Sequence, residues 1–199
     1  MSIIGTYSEI VTAGVNASQA HTFSDKLQAR NRLSILCVVF SLIYFFYFLV
    51  NKEWFPFLAI SLGIFLFSTS IILNHFQKFT ISSSLILFNT NYCVLFFSIY
   101  LGFDSGIHLY LFTSPLIVLT LFDTKSALFI GLALASYIVN FVILVLIEKV
   151  FKMHFLSLNE SQKDIFYLIN FICSRVILMA LALYFLYNNN KVTQLGTLT

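Results

Sequence analysis

The sequence predicts an all-α integral membrane protein, a bundle of six transmembrane helices preceded by an amphipathic N-terminal helix. Composition gives the first reason, because 59% of the 199 residues are hydrophobic and only 10% are charged, far from the balance of a soluble domain. The second is that the apolar residues form six long runs, and a bilayer core requires about 20 apolar residues per helix. The third is that these runs are continuous, whereas the strands of a membrane barrel alternate.

The six runs define the predicted spans, and the short connections make consecutive spans antiparallel neighbours in a compact bundle. We divide the chain into a leader helix over residues 1–32, a transmembrane domain over 33–190, and the start of an output helix or linker over 191–199. Charge is absent from the first five spans, and the sixth carries one arginine. The predicted spans are Leu33–Val50, Trp54–Leu73, Phe79–Phe103, Ile107–Phe122, Ser126–Ile147 and Ile165–Asn190.

The leader has its apolar residues at three- and four-residue spacing, which places them on one face of a helix. Its polar face carries no Lys or Arg, although a helix that binds anionic lipid is rich in both. Packing on another protein element is therefore favoured over anchoring at the lipid surface, and both readings stay open. The apolar face consists of Ile3, Ile4, Tyr7, Ile10, Val11 and Val15.

Orientation follows from the basic residues, which are more numerous in cytoplasmic loops. A cytoplasmic N-terminus places Lys26, Arg30, Arg32, Lys78, Lys125 and Lys191 inside and leaves Lys52, Lys149, Lys152 and Lys163 outside. Since six spans return the chain to its starting side, we expect a multi-pass plasma-membrane protein with both termini in the cytoplasm.

The fourth span is unusual because it is short and contains Pro115 near its middle. Proline inside a helix removes a backbone hydrogen bond and bends the helix. In lipid such a break is tolerated where neighbouring groups, here the hydroxyls of Thr113 and Ser114, hydrogen-bond to the freed backbone groups. Pro115 is either a packed kink or a hinge.

Arg175 lies near the middle of the sixth span, where an arginine costs about 2.5–3.5 kcal/mol on insertion scales. We therefore expect it to face the interior of the bundle. Because the spans contain no Asp or Glu, its partners are neutral amides such as Asn89, Asn91 and Asn140, backbone carbonyls, or an anionic ligand. Together with Asn170 these residues predict a polar seam that joins spans three, five and six. The seam is either a hydrogen-bonded staple between helices or a ligand site.

The outer connection between spans three and four contains Asp104, Ser105 and Gly106, followed by His108. Histidine titrates near neutral pH, so this outer mouth is a candidate sensing site. The four histidines lack the spacing of a helical metal site, and the three cysteines lie far apart in separate spans, which is no disulfide framework. We expect no metal, no cofactor and, in the absence of a nucleophile triad or paired carboxylates, no catalysis.

Two further patterns concern the aromatic residues and the sixth span. The 24 phenylalanines and 10 tyrosines either line an apolar ligand pocket or face lipid and fill the core. A capping box, Ser157 with Glu160 or Ser161 with Asp164, is expected to start the sixth helix. The exit of that helix has the spacing of a coiled-coil seam, which favours a homodimer and an output helix, through Leu181, Phe185, Asn188, Val192 and Leu195.

The stretch from Gly102 to Phe112, followed by Pro115 and Phe122-Asp123, resembles the third-to-fourth helix hairpin of six-helix membrane input domains. These domains precede adenylate/guanylate cyclase or histidine kinase modules in bacterial signalling proteins. The resemblance implies a sensor domain in a bacterial inner membrane, with the catalytic module beyond Thr199. The matching residues are Gly102, Ser105, Gly106, His108 and Pro115.

The leading hypothesis is therefore a non-enzymatic sensor that relays a signal through the sixth span to a cytoplasmic cyclase or kinase module. Its expected partners are the lipid bilayer, a second copy of the chain, the effector domain and a lipophilic or periplasmic small ligand, with no nucleic acid. The alternative is a small permease or channel, which would require a continuous polar path across the membrane.

Overall fold

The computed structural model describes residues 3–15, 21–122, 127–151, 156 and 158–196, and within these ranges the side chains of residues 3–4, 21–23, 150–151 and 188–196 are not described. The described residues form helices and connecting turns, with no strand among them. The α-helices are α1 (Ile3–Val11), α2 (His21–Val50), α3 (Trp54–His75), α4 (Phe79–Leu101), α5 (Ser114–Leu121), α6 (Ala127–Leu146) and α7 (Glu160–Gly196). Two 3-10 segments, Phe103–Ser105 and Ile107–Thr113, lie between α4 and α5, and a π-helical turn, Ile147–Phe151, follows α6.

The prediction of an all-α membrane protein is confirmed. Within the described residues, five helices are long and apolar enough to cross a membrane, and large apolar side chains such as Leu128 and Phe88 stand 74% and 64% exposed on the outer surface of the bundle. Such exposure is favourable in lipid. The five helices are Ser24–Val50, Trp54–His75, Phe79–Leu101, Ala127–Lys149 and Glu160–Tyr187.

Tight turns make α2, α3 and α4 consecutive antiparallel neighbours. We call the end of the bundle that holds α1 and the α3–α4 turn the near end, and the end that holds the Gly102–Gly106 connection the far end. Buried hydroxyls join the helices at the near end, where Ser34 and Ser70 lie 2.8 Å apart and Ser82 donates to the carbonyl of Ser70. Helices held together by small polar residues are typical of membrane bundles.

The fourth predicted span is not one bent α-helix. Its residues form the 3-10 segment Ile107–Thr113 followed by the two-turn helix α5. Four of the seven residues in the 3-10 segment and five of the eight in α5 are buried, against three of the twenty in α6. Irregular backbone at membrane depth is tolerated where protein surrounds it, and α2, α4, α6 and α7 surround this segment.

The short segment nevertheless runs the length of the bundle. It begins beside the end of α4, and its last residue, Leu121, accepts a hydrogen bond at 2.9 Å from the hydroxyl of Ser83 near the start of α4. A 3-10 helix rises about 2.0 Å per residue and an α-helix about 1.5 Å. The segment therefore reaches about 26 Å, close to the roughly 27 Å that separates Ser83 from Leu101 along α4.

Pro115 does not interrupt an α-helix, so the expectation of a mid-helix kink is wrong. It lies in the first turn of α5, where the missing backbone N–H has no helical partner to lose. The backbone changes from 3-10 to α geometry at Thr113 and Ser114. The hydroxyl of Thr113 donates to the carbonyl of Tyr110 at 2.7 Å, which is a bond within the 3-10 segment and not to a carbonyl freed by Pro115.

Helix α7 starts with a capping box, but not with either of the predicted ones. The backbone N–H of Gln162 donates to the side chain of Asn159 at 2.8 Å, and that of Asn159 donates to the side chain of Gln162 at 3.0 Å. The helix therefore begins at Glu160, with Ser161 and Asp164 inside it, and Ser157 lies outside the described residues. An Asx residue accepts these N–H groups as well as serine does.

In the described part of the leader, the short helix α1 packs on α2 with Val11 buried, and α2 itself already begins at His21. The side-chain amide of Asn31 lies 3.0–3.3 Å from the carbonyls of Ile10, Val11 and Ala13, and thereby satisfies the last carbonyls of α1. Asn74 donates to Asn31 at 2.7 Å. The leader thus contacts protein, as the sequence favours.

The last members of the predicted coiled-coil seam, Asn188, Val192 and Leu195, belong to α7, and their side chains are outside those described. Leu181 is 6% exposed inside one protomer. It is therefore a core residue and cannot line a contact between copies. Phe185 is half-buried beside it.

Candidate functional site

A buried asparagine on α7 connects three parts of the bundle at the far end. Asn170 is fully buried and donates at 2.8 Å to the backbone carbonyl of Ser105. Its carbonyl oxygen accepts a hydrogen bond from the hydroxyl of Tyr44 on α2. Both the NH2 group and the carbonyl oxygen of the Asn170 side chain are therefore hydrogen-bonded. The ring of Tyr44 also stacks on Phe166 of α7, with 5.7 Å between the ring centroids. Any displacement of α7 must break or carry these bonds.

The connection between α4 and the 3-10 segment fits closely against α7. Gly106 has a φ of +77°, and a Cβ placed on it would lie 2.9 Å from the ring of Tyr167 and 3.2 Å from its Cα. Only glycine adopts this backbone conformation freely and leaves that space. The hydroxyl of Ser105 donates to the carbonyl of Gly102 at 2.7 Å, which closes the turn. Ser105 and Gly106, predicted from the sequence, thus meet Asn170 in one place.

The other two residues of the predicted outer mouth are placed differently. Asp104 is exposed, 3.7 Å from the ammonium of Lys163, which also lies 2.9 Å from Glu160. Exposed ion pairs of this kind contribute little. His108 is only 8% exposed, and its ring stacks on Phe103 at 3.7 Å between centroids with an interplanar angle of 11°. It lies within the fold and is not at an open mouth.

An apolar cavity of about 90 Å³ lies next to the Asn170 contacts, between α2, α3, α4, the 3-10 segment, α5 and α7. Both Tyr44 and Asn170 form part of its wall. The remaining wall is mainly aliphatic and aromatic, and includes two of the free cysteines. Its lining residues are Cys37, Phe40, Ser41, Tyr44, Ile60, Phe67, Thr90, Cys93, Val94, Phe97, Ile107, Tyr110, Thr113, Ile117, Asn170 and Ile177.

Most polar groups in this wall are already engaged. The hydroxyl of Thr90 donates to the carbonyl of Ile86 at 2.8 Å, and that of Thr113 to the carbonyl of Tyr110. Tyr44 donates to Asn170. These donors are therefore already used, and the surface that the wall presents to the cavity is almost wholly apolar.

The predicted polar seam joining spans three, five and six is not a single network. Asn89 donates to the carbonyl of Gly63 on α3 at 2.8 Å, and Asn140 of α6 donates to Asn91 of α4. Asn170 makes the separate contacts described above. These are three independent staples, because each amide finds a partner on its nearest helix rather than at a shared centre.

Arg175 does not face the bundle interior, so that expectation is wrong. It is exposed on the surface of α7 with its guanidinium 5.1 Å from the ring centroid of Phe171, a cation–π contact. Beside it lies a small cavity of about 30 Å³ with Leu109, Phe112, Thr113, Ser174 and Leu178 in its wall. The helical phase of α7 explains the result, because Asn170, Cys173 and Ile177 occupy the buried face.

Sequence reasoning missed Tyr44 as a functional candidate. It belongs to the aromatic run from Tyr44 to Phe48, and nothing in that run marks which ring carries a hydrogen-bonded hydroxyl. In the part of the chain that the structure describes, no three His, Cys, Asp or Glu side chains come together as a possible metal site. Cys37, Cys93 and Cys173 are free thiols.

These features define a multi-pass membrane domain in which one long helix is bonded to a closed far-end turn and borders an internal cavity. A family model matches residues 16–195, nearly the whole chain, and it is the MASE7 model. The chain therefore belongs to the MASE7 family of membrane-associated sensor domains. Neither the curated proteins nor the solved structures contain a match.

Proposed function

We propose that this sensor domain is a regulatory, non-catalytic input unit that relays a signal through α7 to a cytoplasmic cyclase or kinase module. The observation that carries the proposal is the continuity of α7, which runs unbroken for 37 residues from Glu160 to Gly196. From Asn170 to Gly196 it covers about 39 Å at 1.5 Å per residue. A change at the far end reaches the near end along one rigid element.

The direction of the relay follows from the placement of the contacts. Asn170, Phe166 and Tyr167 tie the first part of α7 to α2 and to the far-end turn, whereas its last turns extend past the apolar span that ends at Tyr187. Input at the far end and output at the opposite end agree with a cytoplasmic C-terminus, as the distribution of basic residues favours.

A homodimer is the assembly that best accounts for Arg175. An arginine exposed near the middle of a span costs about 2.5–3.5 kcal/mol by insertion scales. Contact with a second copy through this face of α7 would remove the guanidinium from lipid. It would also bring the two output helices together, as dimeric cyclases and kinases require.

The test is a fusion of the full chain to a soluble adenylate cyclase module, with cyclic AMP measured in membrane vesicles. Asn170→Leu removes the contacts of α7 with Tyr44 and Ser105, and we expect it to change cyclase output at equal protein level. Asn140→Leu is the matched control, because it removes a hydrogen bond of the same kind that joins α6 to Asn91 on α4 and not to α7.

An insertion of three glycines after Tyr187 breaks the helical connection and should abolish the effect of Asn170→Leu. Output that is identical in Asn170→Leu, Asn140→Leu and the unaltered fusion would contradict the proposal.

A further inference from the structure

We propose that the cavity beside Asn170 is a binding site for a small, uncharged apolar molecule that partitions into the bilayer. The site follows from the cavity alone, and only its consequence for signalling rests on the proposed sensory function. The first step concerns water. A buried water needs two to four polar partners, but the surface that the wall exposes to the cavity is almost wholly apolar, and the hydroxyls of Thr90, Thr113 and Tyr44 already donate to protein acceptors. The cavity therefore favours an apolar occupant.

The second step concerns size. The cavity has a volume of about 90 Å³, roughly three fifths of that of an engineered cavity that holds the six carbons of benzene, so it fits about three to four non-hydrogen atoms. Engineered apolar cavities of about 150 Å³ stay dry and bind benzene or xenon. A smaller guest of the same character, such as a short hydrocarbon or xenon, matches this volume, whereas a whole lipid headgroup does not.

The third step concerns the chemistry of the wall. No Asp, Glu, Lys, Arg or His is among the lining residues. The site therefore has no group that would compensate a charged ligand, and burial of an unpaired charge is strongly unfavourable. Cys37 and Cys93 add polarizable sulfur, which favours soft apolar guests.

The fourth step connects occupancy to α7. Tyr44 and Asn170 form one wall of the cavity and also form the hydrogen bond between α2 and α7, and Ile177 adds a second contact from the same helix. A guest that fits only when this bond is intact would favour one position of α7, because a ligand shifts an equilibrium toward the state that it binds better.

Xenon is the probe, and its occupancy in pressurised crystals of the full chain is read from anomalous difference density. Val94→Phe fills the cavity from α4, and Cys37→Leu fills it from α2. Val39→Phe is the matched control, because Val39 stands 48% exposed on the outer surface of α2, whereas Val94 is 4% exposed and lines the cavity.

We expect a xenon peak in the cavity of the unaltered protein and of Val39→Phe, and its loss in the two filled variants. The absence of xenon from the unaltered protein, or an unchanged peak in a filled variant that elutes as a folded protein, would overturn the site. Xenon and isobutane are then applied to the cyclase fusion. Bound xenon without any change in cyclase output would overturn the coupling to α7. If xenon binds as expected but the Asn170→Leu fusion shows unchanged cyclase output, the result counts against the proposed function and leaves the binding site standing.

Discussion

The hydrogen bond between Tyr44 and Asn170 should be measurable as a coupling energy. Asn170→Leu removes two hydrogen bonds, one from Tyr44 and one to the carbonyl of Ser105. Side-chain hydrogen bonds in membrane proteins average about 0.6 kcal/mol and reach about 1.7 kcal/mol. The substitution should therefore lower the free energy of unfolding by roughly 1.2–3.4 kcal/mol, and Tyr44→Phe, which loses one bond, by about half of that.

The double variant separates the bond from the packing. In the Asn170→Leu background the hydroxyl of Tyr44 has lost its acceptor, so Tyr44→Phe should cost almost nothing further, and the coupling should be about 0.6–1.7 kcal/mol. Free energies of unfolding are measured by titration of micelles with a denaturing detergent or by steric trapping in a bilayer. Tyr44→Phe combined with Asn140→Leu is the control and should be additive.

Additivity of Tyr44→Phe and Asn170→Leu within experimental error would refute this reasoning. It would mean that the two side chains do not share a hydrogen bond in the folded bundle. The candidate link between α2 and α7 would then be lost with it.

Three further substitutions test the remaining contacts. Gly106→Ala places an alanine in a left-handed backbone conformation, which costs about 1–2 kcal/mol, and brings a Cβ against Tyr167, so the midpoint of thermal unfolding should fall. Gly131→Ala is the control, because its Cβ meets nothing within 4 Å, and it should raise the midpoint. Equal midpoints for the two variants would contradict the close packing at Gly106. Gly14→Ala places a Cβ 2.0 Å from the carbonyl oxygen of Asn74, which should displace α1 from α3. Limited proteolysis should then cut the leader faster, while the free energy of unfolding of the bundle stays the same. An unchanged cleavage rate would show that the contact between Gly14 and Asn74 does not hold α1 in place. Arg175→Leu removes an exposed charge from lipid and with it the main gain from the proposed dimerisation. The free energy of dimerisation, measured by energy transfer between labelled copies, should therefore weaken by up to about 2.5–3.5 kcal/mol. An unchanged dimer fraction would exclude this face of α7 as the dimer contact.

Much of the architecture follows from hydropathy, because lipid imposes length and continuity on each helix. The five long spans, the tight turns between α2, α3 and α4, and the closed turn at Ser105 and Gly106 could be predicted in this way. Hydropathy could not predict whether a single polar side chain faces the interior of the bundle or the lipid. Arg175 and Asn170 lie on the same helix, and only the packing of α7 against its neighbours determines which of them is buried.

The candidate site was only partly accessible to sequence reasoning for a related reason. Asn170 is a polar residue in an apolar run and therefore stands out, but its partner Tyr44 is one aromatic residue among many. The cavity depends on how side chains from six segments fail to fill a shared volume, which no single segment encodes. Asn89 and Asn140 also stand out as polar residues in apolar runs, but their partners could not be predicted. Each binds a neighbouring helix, and the predicted common seam does not form.

The stretched geometry of Ile107–Thr113 decides at which end of the bundle α7 finishes. A count by helix length alone gives five crossings in the described residues, an odd number that would place the two termini on opposite faces. The contact of Leu121 with Ser83 makes this segment a sixth crossing of the bundle, largely buried by its neighbours although Phe112 stands 66% exposed. The parity becomes even, and the end of α7 emerges on the same face as the start of α2. At 1.5 Å per residue the same fifteen residues would cover only about 22 Å as an α-helix, so the 3-10 winding supplies the length that this crossing of the bundle needs.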